Sequence, residues 1–145
     1  MDTVPERAVG AATTRSERGW WWSAALVVGD ALSFLAFAAA GRQQHGHVET
    51  LGDIALTAIP FALGWFVVSP WLGAFRRSLF DSPLHMLRRT ELAWLCAWPV
   101  ALILRVLIAP DHAMPWTFAA VILIANALFL GAWRTLFALL ARFIP

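Results

Sequence analysis

Four long apolar runs dominate the chain, at about residues 20–40, 54–75, 92–109 and 116–141. Each is continuous rather than alternating, so the period-two signature of a membrane strand is missing. A helix needs roughly 20 residues to cross a bilayer, and inside hydrocarbon only helices or closed barrels satisfy their own backbone. The pattern therefore predicts an all-α protein, a four-helix transmembrane bundle running up-down-up-down. Polar residues punctuate the runs. Thr50-Leu51-Gly52-Asp53 fits a capping box ahead of the second. Ser82-Pro83 fits an N-cap followed by proline at the first helical position. A helix from there through Leu84, Leu87, Arg88 and Arg89 is expected to lie along the inner interface before the third span begins. Pro110 to Pro115 reads as a tight outer turn, making the last two spans a hairpin. Residues 1–19 are polar, small and without apolar period, which predicts a disordered cytoplasmic tail before the transmembrane domain of residues 20–145.

Charge placement sets the expected orientation. All eleven basic residues are arginines. Arg7, Arg15 and Arg18 precede the first span, Arg76, Arg77, Arg88 and Arg89 separate the second from the third, and Arg134 and Arg142 close the fourth. The opposite loops hold only Arg42. The positive-inside rule then places both termini in the cytoplasm, with the protein in the cell membrane. Trp20, Trp21, Trp22, Trp71, Trp94, Trp116 and Trp133 fall near span ends, as an interfacial aromatic belt requires. Arg42, Arg76, Trp133 and Arg134 are the expected interfacial anchors. Composition agrees: 60% of residues are hydrophobic and 14% charged, against about a half and a quarter in soluble domains. A net charge of +2 spread along the chain argues against nucleic acid as a partner. Ala38-Ala39-Ala40 could pass for a signal cleavage site, but the run before it is too long for a signal h-region and carries a central acid.

That acid, Asp30, is one of three costly polar positions at membrane depth, with Arg105 and Asn126. A central Asp or Arg costs roughly 2.5–3.5 kcal/mol on insertion scales, and such groups usually face protein or a wet cavity. Ala25, Gly29 and Ser33 form a four-residue-spaced small stripe, with Asp30 at its edge, so the acid is expected to point into the bundle. At about 1.5 Å per residue, Asp30 and Asn126 are nearly level, and Arg105 is about 5 Å higher. Two arrangements follow. An ionised Asp30 pairs with Arg105 while Asn126 donates a hydrogen bond. Alternatively a protonated Asp30 bonds Asn126 and Ser33, and Arg105 snorkels toward Asp111 or Asp53. The cluster either locks the bundle or serves as a proton, ion or ligand site.

Leu72-Gly-Ala-Phe-Arg76 and Leu130-Gly-Ala-Trp-Arg134 echo one another at the same expected membrane level. The echo reads as independent packing and anchoring in two helices, with a duplicated hairpin as the rival. Cys96, the only cysteine, rules out a disulfide framework and is expected to be a small buried hydrophobe. His45, His47 and His112 lie in outer loops without a helical ligand spacing, so no metal is expected. The spans contain no histidine for a haem, and no nucleophile elbow, phosphate loop or lipidation signal is present, so no cofactor is expected.

Several short motifs occur in a characteristic order. They are Gly29-Asp30-Ala31, Gly41-Arg42 with His45-Gly46, Pro60-Phe61 with Gly64-Trp65, Pro70 with Gly73, Pro99 with Leu104-Arg105, and Gly131-Ala132-Trp133-Arg134. Together they resemble a small prokaryotic membrane family known as domain of unknown function 3054, over about residues 24–138. The resemblance implies a four-helix integral membrane protein without assigned biochemistry. It also implies that Asp30, Arg42, Arg105 and Arg134 belong to the family's pattern. Four helices leave little room for a private substrate cavity, so the expected role is a non-enzymatic accessory or assembly subunit. Its partners would be the lipid bilayer and either copies of itself or another membrane protein. The alternative is a small transporter or channel subunit using Asp30, Arg105 and Asn126. An intramembrane enzyme lacks a visible nucleophile and base.

Overall fold

The computed structural model of the chain describes residues 6–43, 50–108 and 115–143, without the side chains of residues 6–19 and 42–43. Among these residues the chain forms α1 (Glu6–Gln43), α2 (Leu51–Val68), α3 (Pro83–Ile108) and α4 (Trp116–Ala141), with a 3-10 turn at Arg77–Leu79 between α2 and α3. Each long helix contains a stretch apolar and long enough to cross a membrane: Trp20–Gly41, Leu51–Val68, Pro83–Ile108 and Trp116–Ala141. Leu32, Val67, Ile103, Ile124 and Leu128 project outward, each more than half exposed. Soluble monomers rarely carry apolar surface on this scale, and helices apolar on every side belong in lipid. This is a multi-pass membrane protein.

The helices form a ring in which α1 packs on α2 and α4, and α3 packs on the same two. Contacts along each seam run in opposite senses. Phe37 meets Phe61 while Asp30, seven residues earlier, meets Trp65. Trp94 donates to the Leu123 carbonyl at 3.0 Å and Trp98 to that of Ala119 at 3.1 Å. Two glycines set the closest approaches. A Cβ on Gly64 would lie 2.8 Å from the Ala101 backbone, and one on Gly29 would fall inside the Trp133 ring. Small residues thus bring α2 onto α3 and α1 onto α4, as dispersion-driven packing in lipid favours.

The ends of the helices follow local chemistry. Thr50 and Asp53 form the expected capping box, with the Asp53 carboxylate accepting from the Thr50 N–H at 3.1 Å and the Thr50 hydroxyl accepting from the Asp53 N–H at 3.3 Å. Thr50→Ala should lower stability by about 1 kcal/mol, read as an earlier midpoint in detergent-induced unfolding; Thr50→Ser should leave the midpoint close to its original value. The Ser82 hydroxyl accepts from the His85 N–H at 3.5 Å at the start of α3.

Several boundaries differ from the sequence expectation. α2 ends at Val68, not 75, because residues 69–75 turn back on themselves with Gly73 in the left-handed region at φ 69°. α3 is one continuous helix from Pro83, without a separate interfacial segment. Its first turns pack inward through Met86 and Thr90, which are fully buried. The helical backbone of α1 extends back to Glu6, through the segment expected to be disordered; Ala, Glu and Arg there are good helix formers. The echo divides between two structures, a turn at Leu72–Arg76 and a helix at Leu130–Arg134, which removes the duplicated-hairpin reading. Trp94 is buried in the core, not interfacial, whereas Cys96 is exposed on the outer face of α3. The Pro110–Pro115 turn up to residue 114, together with His45, His47, Asp111 and His112, lies outside the described residues.

Candidate functional site

Asp30 and Arg134 meet at the centre of the bundle, both fully buried. Arg134 grips the carboxylate with two donors. Its Nε donates to Oδ1 at 2.9 Å and its Nη2 to Oδ2 at 2.5 Å. Trp65, from α2, adds its indole N–H to Oδ2 at 3.0 Å. The third guanidinium nitrogen, Nη1, donates to the Ala74 carbonyl at 2.7 Å. The guanidinium also lies against the faces of Trp65 and Phe75, 4.8 and 4.7 Å from the ring centres. Arginine suits this place better than lysine, because only its planar fork can hold a carboxylate with two bonds and stack on rings at once.

Local sequence explains how each group arrives. Pro70 cannot extend α2 as an ordinary helical residue, and Ser69 ends the helix by donating its N–H to the Trp65 carbonyl at 2.8 Å. The chain then reverses: Ala74 donates back to the Ser69 carbonyl at 3.0 Å, with Gly73 supplying the positive φ. Ala74 is thereby tucked under the bundle, fully buried, with its carbonyl facing Arg134. One ion pair thus ties α1, α2, α4 and the α2–α3 connection together. Beneath it Leu26, Leu79, Met86, Phe137 and Ala138 close a second apolar cluster.

The partner of Asp30 is therefore Arg134, and neither expected arrangement, with Arg105 or with Asn126 and Ser33, is the one found. Arg105 is on α3, diagonally across the ring from α1, half-buried and three residues from its helix end. The neighbouring helix α4 supplies the cation instead. Arg134 is a buried ligand of Asp30, not an interfacial anchor, and Trp133 is packed on Gly29 and Phe137 rather than spread at an interface. Asn126 is fully buried but does not reach Asp30; its Nδ2 donates to its own helix at the Ile122 carbonyl, 3.1 Å away. Its Oδ1 has no partner among the described residues. Ser33 likewise bonds within its helix, its hydroxyl donating to the Gly29 carbonyl at 2.8 Å. Arg76 is exposed beside Gly73, and the side chain of Arg42 is outside the described residues. Trp65 and the Ala74 carbonyl were missed. Depth alone admitted Arg134: it stands seven residues before Ala141, roughly 10 Å from that end, against roughly 15 Å for Asp30. In the sequence its place near the end of the last span reads equally as an interfacial charge, which hides it as a partner.

Both members of the pair fall inside the stretch that a known family shares with this chain. The profile of the family described as "Protein of unknown function (DUF3054)" matches residues 27–137. No curated protein and no solved structure matches. With most of its length matched, from the turn before Asp30 to just past Arg134, the chain belongs to the DUF3054 family.

Proposed function

We propose that this protein is a non-enzymatic accessory or assembly subunit of a prokaryotic cytoplasmic membrane. It crosses that membrane four times, up-down-up-down, with both termini on the cytoplasmic side, as the arginine distribution favours. The observation that carries the functional reading is the closed bonding of the central pair. Both Asp30 oxygens are occupied, and Arg134 is held by a carboxylate, a carbonyl and two rings. A relay group must exchange partners to move charge; this one is bonded as a lock between three helices and a turn. A lock suits a protein whose product is its own rigid shape, offered to other membrane components.

Cross-linking in native membranes followed by native electrophoresis tests this. A discrete species larger than the monomer, either self-assembled or mixed, is expected; a monomer under all conditions would overturn the reading. The competing role, a small transporter or channel subunit working through Asp30, predicts a different result. Purified protein in vesicles would then dissipate an ion gradient, and Asp30→Asn would abolish that flux while leaving the protein inserted.

A further inference from the structure

A concavity of about 770 Å³ runs along the outer seam between α3 and α4. Its walls are apolar, Leu95, Ile124, Leu128 and Leu139 among them, and it shares no lining residue with the central ion pair. One charged side chain enters it, Glu91. A Cβ on Gly131 would lie 2.6 Å from Glu91 Oε1, so the carboxylate rests directly over the bare glycine backbone. No hydrogen bond or ion pair reaches that carboxylate among the described residues.

Its depth is informative. Glu91 stands eight residues into α3, roughly 12 Å from the start, and Gly131 ten residues before the end of α4, roughly 15 Å. Both helices have 26 residues, or roughly 39 Å at the α-helical rise, against about 30 Å of hydrocarbon. With the hydrocarbon centred on these helices, the carboxylate falls several ångströms inside the apolar layer, on the outside of the bundle. Acids within spans nearly always face protein or a wet cavity, which favours a group that covers this one.

Three occupants can be weighed. A second copy meeting this face about a two-fold axis through Glu91 would set like charge on like charge. A lipid headgroup belongs at the interface, too shallow to reach. A helix can carry its own cation to that depth. The groove floor suits one, because Ala127, Gly131 and Thr135 recur every four residues and permit close backbone approach. Arg88, one turn nearer the start of α3, is exposed where the interface offers it water, which leaves Glu91 for an incoming donor.

We infer that the α3–α4 groove is the docking site for a transmembrane helix of a partner protein that carries an arginine or lysine at the depth of Glu91. This rests on the accessory-subunit reading and names the chemistry of its partner. The test uses the full chain in lipid vesicles with fluorescent Leu-Ala transmembrane peptides, identical except for one residue at the matching depth: Arg, Leu or Glu. Energy transfer should show the Arg peptide binding about tenfold more tightly than the Leu peptide, as a desolvated charge pair allows, with the Glu peptide weakest. Glu91→Leu is an outward apolar substitution that should leave the fold intact and reduce the Arg preference to under about twofold. Gly131→Leu should weaken all three peptides by filling the floor. Equal binding of Arg and Leu peptides, or an Arg preference that survives Glu91→Leu, overturns the inference. So does disulfide trapping of Leu95→Cys in a symmetric dimer of this chain, read in Cys96→Ala protein. If native membranes hold a larger complex and the Arg preference is absent, the groove assignment fails and the accessory reading stands. If only monomer is found there, the reading itself fails.

Discussion

Arg134→Leu is expected to destabilise the bundle by about 3–5 kcal/mol, because it leaves the buried Asp30 carboxylate without its countercharge. The size of the loss is the informative quantity. Ordinary interhelical hydrogen bonds in bilayers average about 0.6 kcal/mol and reach about 1.7, so a loss in that range would mean that the pair behaves as one more polar contact. The geometry argues for more. Arg134 is held through Nε, Nη1 and Nη2 and by two aromatic faces, and both it and Asp30 are excluded from lipid and water alike. The double variant Asp30→Leu/Arg134→Leu should recover much of the loss, since replacing both members of a buried pair by apolar groups is often close to neutral. Arg134→Lys should fall between, keeping the charge and losing the fork. Reversible unfolding in mixed micelles, followed by the fluorescence of the buried tryptophans, supplies the four corners of the cycle. Additive losses from the two single changes would show that the groups do not act as a pair.

The second large effect is expected at Gly64. A side chain there meets the Cα, N and Cβ of Ala101 at 2.7 to 2.8 Å, and two of those three atoms are helix backbone that cannot rotate away. Gly64→Val must therefore push α2 from α3. Overpacking of this kind costs about 1–3 kcal/mol, and the displacement passes to the next residue, Trp65, which bonds Asp30. Ala101→Gly should rescue little, because the backbone clash remains. Gly29 makes a contrast. Its obstruction is the Trp133 ring, a side chain, so Gly29→Ala should be substantially relieved by Trp133→Leu. If both glycines respond alike to trimming their neighbour, the α2–α3 seam is looser than its geometry implies.

Much of this architecture was legible along the chain. The continuous apolar runs dictate helices in lipid because no other open structure satisfies a backbone there. Capping at Thr50 and Asp53 was legible too, since its partners lie three residues apart and need no tertiary context. Boundaries were less so: hydropathy continues through Pro70, Trp71, Leu72 and Phe75, and only the left-handed turn at Gly73 shows that the helix has ended. The start of the third helix is obscured in the sequence for the converse reason. Arg88, Arg89 and Glu91 interrupt the apolar run, yet they fall on sides of α3 that leave Met86 and Thr90 free to enter the core.

The local sequence determined that the membrane holds four helices and that a carboxyl group stands at depth in the first of them. Only the tertiary structure decided what that group holds. Arg105 and Arg134 are both arginines within reach of the right level, and linear depth does not distinguish them. The choice depends on which helices are neighbours around the ring and which are diagonal, a long-range property set by packing at Gly29 and Gly64. It depends equally on a turn that folds Ala74 inward, 60 residues from the arginine it binds.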